Sequence, residues 1–360
     1  MAEARGIEGL SVAFTAGVAA GTLLSGFLPL PFQALLLPLL ALPCLLRRPL
    51  IRARSALTLT VILGTFLLLG VFCALTGAEA LPGEEFPWER WAGSAVTALR
   101  QRIEQLPFRD PISAPLFKAL LTGDRSALPR ETVQVFRQSG ASHLLALSGL
   151  HVGILYLILD KLTRIPGRSP LVRHLRCWLI IGATGFYALM TGAGPSIVRA
   201  FLFITIGEIL QLCGRPKNAL RVLCLALLAQ LVLQPGVIAS LGFQLSYLAM
   251  AGIFLLYPTL NGWYPASSRW DPFRRIWEMA ALSISCQVFT APLVWARFHT
   301  FPRHFLLTNL LAIPLTTICV TVAVATVTLS FLGISPLWLA GLCDRLCRLL
   351  VNCLEIIAGM

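Results

Sequence analysis

The chain has 360 residues, is 57% hydrophobic and only 12% charged, and carries a formal net charge of +13 with a mean hydropathy of +0.79. Its length would allow two or three soluble domains, but apolar runs of about 20 residues recur throughout, which excludes them and predicts a polytopic membrane protein. The positive excess has two readings: basic loops holding the cytoplasmic side of a membrane, or attraction of a polyanion.

In chain order, residues 10–28 and 30–46 read as two spans that turn over at Pro29 and Pro31. Arg47, Arg48, Arg52 and Arg54 then cluster in a short loop. The positive-inside rule places that loop, and with it the N-terminus, in the cytoplasm. The first run has the length of a secretory signal, but a second follows at once, so a retained span is predicted. A third span, 56–75, leads outside.

Residues 76–141 form the only long polar segment, expected outside the membrane. Trp88 and Trp91 suit an interface. Trp91, Ala95, Ala98, Leu99, Arg102, Ile103 and Leu106 make an amphipathic stripe able to lie on the membrane surface. A second helix is predicted to end at Thr122-Gly123, and a third runs over 131–138 into an unusual stretch.

That stretch, Ser139 to Gly153, is apolar yet holds His143, His151, Ser148 and close glycines. Ionisable groups in a membrane-length run are expensive and turn toward a bundle interior or a wet path. On one continuous helix, His143 and His151 would share roughly one side. Gly149 and Gly153 form a small-xxx-small pair for close helix approach. Ser148-Gly149 is also a place for a helix to break, as happens at membrane depth where protein or a cavity surrounds the backbone.

Further spans read at about 143–159, 175–190, 197–212, 220–233, 238–257, 279–295, 305–332 and 336–357. Loop charges alternate: Lys161, Arg164, Arg168, Arg173 and Arg176 fall in one loop, Arg215, Lys217 and Arg221 in another, Arg269, Arg274 and Arg275 in a third. The loops between carry no Lys or Arg around Gly194 and Gly236. This predicts both chain ends in the cytoplasm. The last stretch, with Asp344, Arg345 and Arg348, is amphipathic and either spans or lies along the surface.

Other polar groups lie at depth. Arg199 and Glu208 share one span, either paired with each other or with neighbours, or, for Arg199 just after the Gly192-Ala-Gly194-Pro195 break, facing a path and binding phosphate. Gln244 lines a cavity or bonds between helices. Gln287, ahead of Pro292, and Asn309, ahead of Pro314, fit helix breaks in a transporter core. The cysteines sit in or near apolar runs, where they act as small hydrophobes, and no pair of Cys-x-x-Cys units has zinc spacing. No phosphate-binding Gly-x-x-x-x-Gly-Lys-Ser/Thr loop and no His-x-His-x-Asp-His cluster occur. Neither a cofactor nor a metal is expected. A Ser148/His151 dyad would be one enzymatic reading, since Ser and His three apart on a helix can meet.

Ser139-Gly140, His143-Leu-Leu145 and Ser148-Gly-Leu-His-Val-Gly153 resemble the signature of the ComEC-type competence family of bacterial inner-membrane DNA-uptake channels. Gly123-Asp124-Arg125 upstream, Gly192 to Ala200, Gly242 to Ser246, Gln287 with Thr290-Ala-Pro292, and Asn309 to Pro314 resemble further blocks of that family, in order. The resemblance implies an all-α polytopic transmembrane bundle of about ten or eleven spans, with broken helices and short amphipathic interfacial helices. It implies passage of single-stranded DNA during natural transformation, without catalysis. The expected path lining is His143, Ser148, His151, Arg199, Gln244, Gln287 and Asn309. Asp124 and Arg125 would stand where DNA arrives from outside. Gly149, Gly153, Gly192, Gly194, Pro195, Pro292 and Pro314 would form breaks or close packing.

The expected organisation is 1–75, three spans; 76–141, the outside segment; 142–335, the channel core; and 336–360, the last helix. Expected partners are single-stranded DNA, membrane lipids, an outer DNA receptor, and a cytoplasmic motor or separate nuclease. Self-association stays open. Residues 76–141 read as helices, so an OB-type domain of the kind many members carry before the core is not expected there. The sequence stops just past the core, as a short homologue would or as a domain cut from a longer chain would, without the metallo-β-lactamase-like domain that many members carry after it. A secondary transporter of small anions, and then the Ser/His protease, are the alternatives.

Overall fold

The computed structural model describes residues 2–24, 56–77, 87–164, 169–265, 271–299, 304–334 and 336–359. The predicted span at 30–46, the cluster Arg47, Arg48, Arg52 and Arg54, and Arg168 and Arg269 lie outside these residues. Every regular element described is helical, and no strand occurs among the described residues.

The helices are α1 (Ala2–Leu24), α2 (Ala56–Gly77), α3 (Pro87–Glu104), α4 (Ser113–Thr122), α5 (Arg130–Gln138), α6 (Ser142–Leu145), α7 (Gly149–Leu162), α8 (Pro170–Met190), α9 (Pro195–Leu212), α10 (Ala219–Leu233), α11 (Leu241–Leu255), α12 (Tyr257–Asn261), α13 (Pro272–Phe298), α14 (Phe305–Phe331) and α15 (Leu337–Ala358). A short 3-10 turn covers Pro235–Ala239. Among the described residues, three helices are long and apolar enough to cross a membrane by length and composition: Pro195–Leu212, Phe273–Phe298 and Phe305–Phe331. Ile7–Leu23, Ala219–Leu233 and Leu241–Leu255 are equally apolar but shorter. These make the chain a membrane protein. Of the other predicted spans, α2 is an uncharged apolar helix of 22 residues, whereas α7 has only 14 residues, against the 20 or so that cross a bilayer.

The chain gathers into two units: residues 1–84 with 202–247, and residues 85–201 with 248–360. In the first, α1 and α2 meet through glycine. A side chain at Gly17 would collide with the Leu67 carbonyl, and one at Gly70 with the Phe14 carbonyl. Phe14, Val18, Ala74, Leu231, Val237 and Phe243 form the core. Glu208, 2% exposed, pairs with Lys217 at 3.1 Å. Pairing with a neighbour is one of the arrangements weighed from sequence, and Lys217 is such a neighbour.

In the second unit, α14 is the central post. Its Ala312, Cys319, Val320, Ala323 and Val327 are buried with Cys343, Cys347, Leu350, Val351 and Leu354 of α15, and with Ile103, Leu106, Leu116, Leu120 and Phe136. Asp344 is buried in this seam, where its carboxylate accepts from the Arg109 N–H (2.9 Å) and the Ser113 hydroxyl (2.7 Å). Asp110 pairs with Arg348 at 3.2 Å.

These contacts correct two expectations. The stripe on α3 does not lie on an open surface. Its Ile103 and Leu106 end are interior, while Trp91 is 78% exposed. The last helix, expected to span or to lie along the surface, shares a core with the segment expected outside. An acidic side chain inside a helical apolar stripe marks a docking face as readily as a surface, and here Asp344 docks.

Prolines cause a third correction. Pro292 and Pro314 stand inside unbroken helices, α13 and α14. A helix in apolar surroundings absorbs one missing hydrogen bond through neighbouring helices and small local adjustments.

Candidate functional site

The signature stretch folds as a broken helix. α6 is a single turn, Ser142–Leu145; Ala146 and Ser148 are then extended, and α7 begins at Gly149. Ser148 caps α7: its Oγ accepts from the Leu150 N–H (3.3 Å), and its own N–H donates to Nδ1 of His151 (3.3 Å). This reciprocal cap satisfies amides that a helix start otherwise leaves unpaired. The Ser148 Oγ to His151 Nδ1 distance of 3.3 Å belongs to the same cap. The Nδ1 lone pair that a dyad would use as base already accepts a backbone proton.

The break is braced from upstream. Gly123 ends α4 with φ +76°, a left-handed C-cap. Leu147 lies against it, 2.7 Å from where a side-chain carbon of Gly123 would stand. The Arg125 Nε donates to the Leu145 carbonyl at 3.1 Å, satisfying an acceptor that the broken helix leaves open. Asp124 accepts from the Ser126 hydroxyl (2.6 Å) and N–H (3.0 Å) and pairs with Arg100 at 3.3 Å. The Ser126 hydroxyl and amide, helped by Arg100, hold its carboxyl below the usual carboxylate range. Asp124 and Arg125 are thus part of the brace.

Arg199 reaches the break from α9. Gly192 (φ +81°) and Ala193 (φ +48°) turn the chain between α8 and α9. Arg199, 9% exposed, then lays Nη2 2.8 Å from the position a Gly149 Cβ would take, with the Ala200 methyl at 3.3 Å from the same point. Gly149 is therefore a close-approach residue. Gly153, expected to share that role, has nothing within 4 Å of where its Cβ would stand, and the same holds for Gly192 and Gly194. Pro195 opens α9.

The structure brings Ser148, Gly149, His151 and Arg199 together. It does not bring His143: the break puts it on a different helix from His151, so the shared helix face does not exist. Its ring is exposed, with Nδ1 3.1 Å from the Gly140 carbonyl. Gln244 belongs to the other unit, where its amide donates to the Ile238 carbonyl at 2.9 Å. Gln287 and Asn309 are half-buried on α13 and α14. Beside Asn309, the Thr308 hydroxyl donates to the Ser139 carbonyl at 2.6 Å and ties α14 to the start of the signature.

One buried acid escaped the sequence reading. Asp160, 6% exposed at the far end of α7, pairs with Arg176 and, at 2.8 Å, with Arg164. An acid closing an apolar run was the available signal. The Tyr187 hydroxyl donates to the Leu121 carbonyl at 3.1 Å. No group of three or more His, Cys, Asp or Glu able to hold a metal occurs among the described residues.

Chemically, the arrangement places a buried guanidinium at the first residue of α7, where a helix presents its positive end. Both favour an anion.

A family model described as Competence protein matches residues 120–360, more than half of the chain. The chain is 30% identical over 207 residues to the uncharacterized protein YcaI of Escherichia coli, covering 54% of this chain and 26% of that protein. It is 28% identical over 214 residues to ComE operon protein 3 of Bacillus subtilis, covering 58% and 26%. It is 32% identical over 143 residues to competence protein ComA of Neisseria gonorrhoeae, covering 38% and 20%. The chain thus spans about a quarter of the length of the first two relatives. No solved structure gives a significant match.

Proposed function

The chain belongs to the competence protein family, and from that premise we propose that it forms a multi-pass channel in the cytoplasmic membrane that takes up single-stranded DNA. The observation that carries this reading is Arg199 at the first residue of α7. A phosphodiester entering hydrocarbon must exchange water and counterions for fixed positive groups. A buried guanidinium beside a helix N-terminus, whose dipole adds to the positive potential there, is such a group. The chain performs no chemistry on the DNA in this reading. Energy and strand delivery come from partners: an outer receptor, and a cytoplasmic motor or separate nuclease.

The test is cytoplasmic accumulation of labelled DNA and transformation frequency in Arg199→Ala and Arg199→Lys strains, with membrane abundance measured in parallel. Loss in the alanine strain with partial retention in the lysine strain is expected. Normal uptake in the alanine strain at normal abundance overturns the proposal. Intact DNA uptake together with loss of small-anion flux would instead support a secondary transporter.

A further inference from the structure

The second unit carries a groove of about 400 Å³, open on one side and bounded by α3, α4, α7, α8 and α14. Its wall is almost wholly apolar and includes Ala98, Leu155, Phe186 and Met190. Along α14 it follows Val320, Val324, Val327 and Phe331. These recur on one helical face over eleven positions, a run of about 16 Å. Such a length suits an extended hydrocarbon chain better than a compact ligand, and the volume lies within the usual range for small-molecule sites.

Three wall residues carry polar side chains: Tyr187, Thr328 and His151. The Tyr187 hydroxyl is engaged at Leu121 (3.1 Å) and the Thr328 hydroxyl at Val324 (2.7 Å). His151 is different. Its Nδ1 accepts from the Ser148 N–H, so the neutral ring carries its proton on Nε2. That Nε2 is buried without a partner, in a residue 3% exposed. A buried donor left unpaired costs about 1–3 kcal/mol. A lone water would find one donor in an apolar wall, whereas buried waters make about three hydrogen bonds. An acceptor oxygen carried by an apolar molecule would satisfy this donor.

We propose that this groove binds one single-chain fatty acid, with its hydrocarbon along α14 and its carboxyl oxygen accepting from His151 Nε2–H. A phospholipid fits less well, because its bulky headgroup would have to reach a residue with almost no exposure. The site goes beyond passage of DNA and does not depend on it: the acid would fill the space between α3 and α14 and hold the signature histidine in place.

The test uses the full chain purified in a steroid-based detergent and stearic acid spin-labelled at its methyl end. An immobilised signal saturating at one acid per chain is expected. Palmitic acid should displace it at least tenfold more effectively than hexadecane, which lacks the oxygen, and phosphatidylcholine should not displace it. Ala98→Trp, which fills the groove, should abolish saturable binding while thermal unfolding stays cooperative; Val324→Phe serves from another wall if the tryptophan variant does not fold. Absence of saturation, equal displacement by hexadecane, displacement by phosphatidylcholine, or undiminished binding in a folded filled variant overturns the proposal.

Discussion

Arg199 Nη2 and Gly149 are so close that a side-chain carbon at Gly149 would stand 2.8 Å from the guanidinium. The glycine leaves the floor on which the cation rests. Gly149→Ala therefore pushes against the mobile end of a flexible side chain and, at 3.3 Å, the Ala200 methyl. Overpacking a core usually costs about 1–3 kcal/mol; with a guanidinium able to give way, about 1 kcal/mol is expected. The displaced Arg199 should lower DNA uptake several-fold at near-normal membrane abundance. Uptake unchanged in this strain would mean that the Gly149–Arg199 contact is packing and nothing more.

Ser148→Ala separates a cap from a nucleophile. The serine accepts from the Leu150 amide, and its own amide meets His151. Loss of an N-cap oxygen costs about 1 kcal/mol, so a fall of a few degrees in thermal midpoint is expected, with most DNA uptake retained. A dyad protease would lose all activity in this variant and restore it with no capping residue other than a nucleophile. Asn, which caps well but does not form an acyl intermediate, is the control: Ser148→Asn should recover the midpoint.

The helical class and the break at Ser148-Gly149 were legible because both are local. Gly123 closing α4 and Pro195 opening α9 belong to the same kind of signal: a residue type fixes its own backbone. The partners of buried charges were not legible. Arg199 and Glu208 share a helix, yet Glu208 meets Lys217 and Arg199 meets Gly149. Side chains nine positions apart are separated by about 14 Å of helix, so each finds a neighbour brought by the chain's return. His143 misled for the opposite reason: its helical phase with His151 presumes a continuous helix, and the break cancels it. Pro292 and Pro314 misled because a proline weakens one hydrogen bond but does not dictate a break where packing supports the helix.

The turn at Asp124 should respond to acid. Its carboxyl is held below the usual range by Ser126 and Arg100, so the charged form is favoured in the folded state. A lowered folded value contributes stability above the unfolded value of about 4, and that contribution is lost as pH falls through the lowered folded value. Above about pH 5, Asp124→Asn should loosen the turn slightly, and in wild type the loosening should begin only in stronger acid. Hydrogen exchange at the Ser126 and Leu147 amides measures it. Equal protection in wild type and Asp124→Asn at neutral pH would remove the carboxylate from the brace.

Asp344 offers the sharpest stability test, because two donors converge on it from a distant part of the chain. Asp344→Ala leaves the buried Ser113 hydroxyl without its acceptor and frees the partly buried Arg109 amide. An unpaired buried group costs about 1–3 kcal/mol, so a loss of about 1–3 kcal/mol is expected, enough to lower membrane abundance. Asp344→Asn keeps one acceptor oxygen and should lose about half as much. The double change Ser113→Ala with Asp344→Ala should cost less than the sum of the two single changes, because the residues share one bond. Limited proteolysis supplies the structural readout: if α15 is held by this carboxylate, cleavage between residues 332 and 337 should rise in Asp344→Ala and return toward normal in Asp344→Asn. Strict additivity of the two alanine changes would show that Ser113 and Asp344 do not act together.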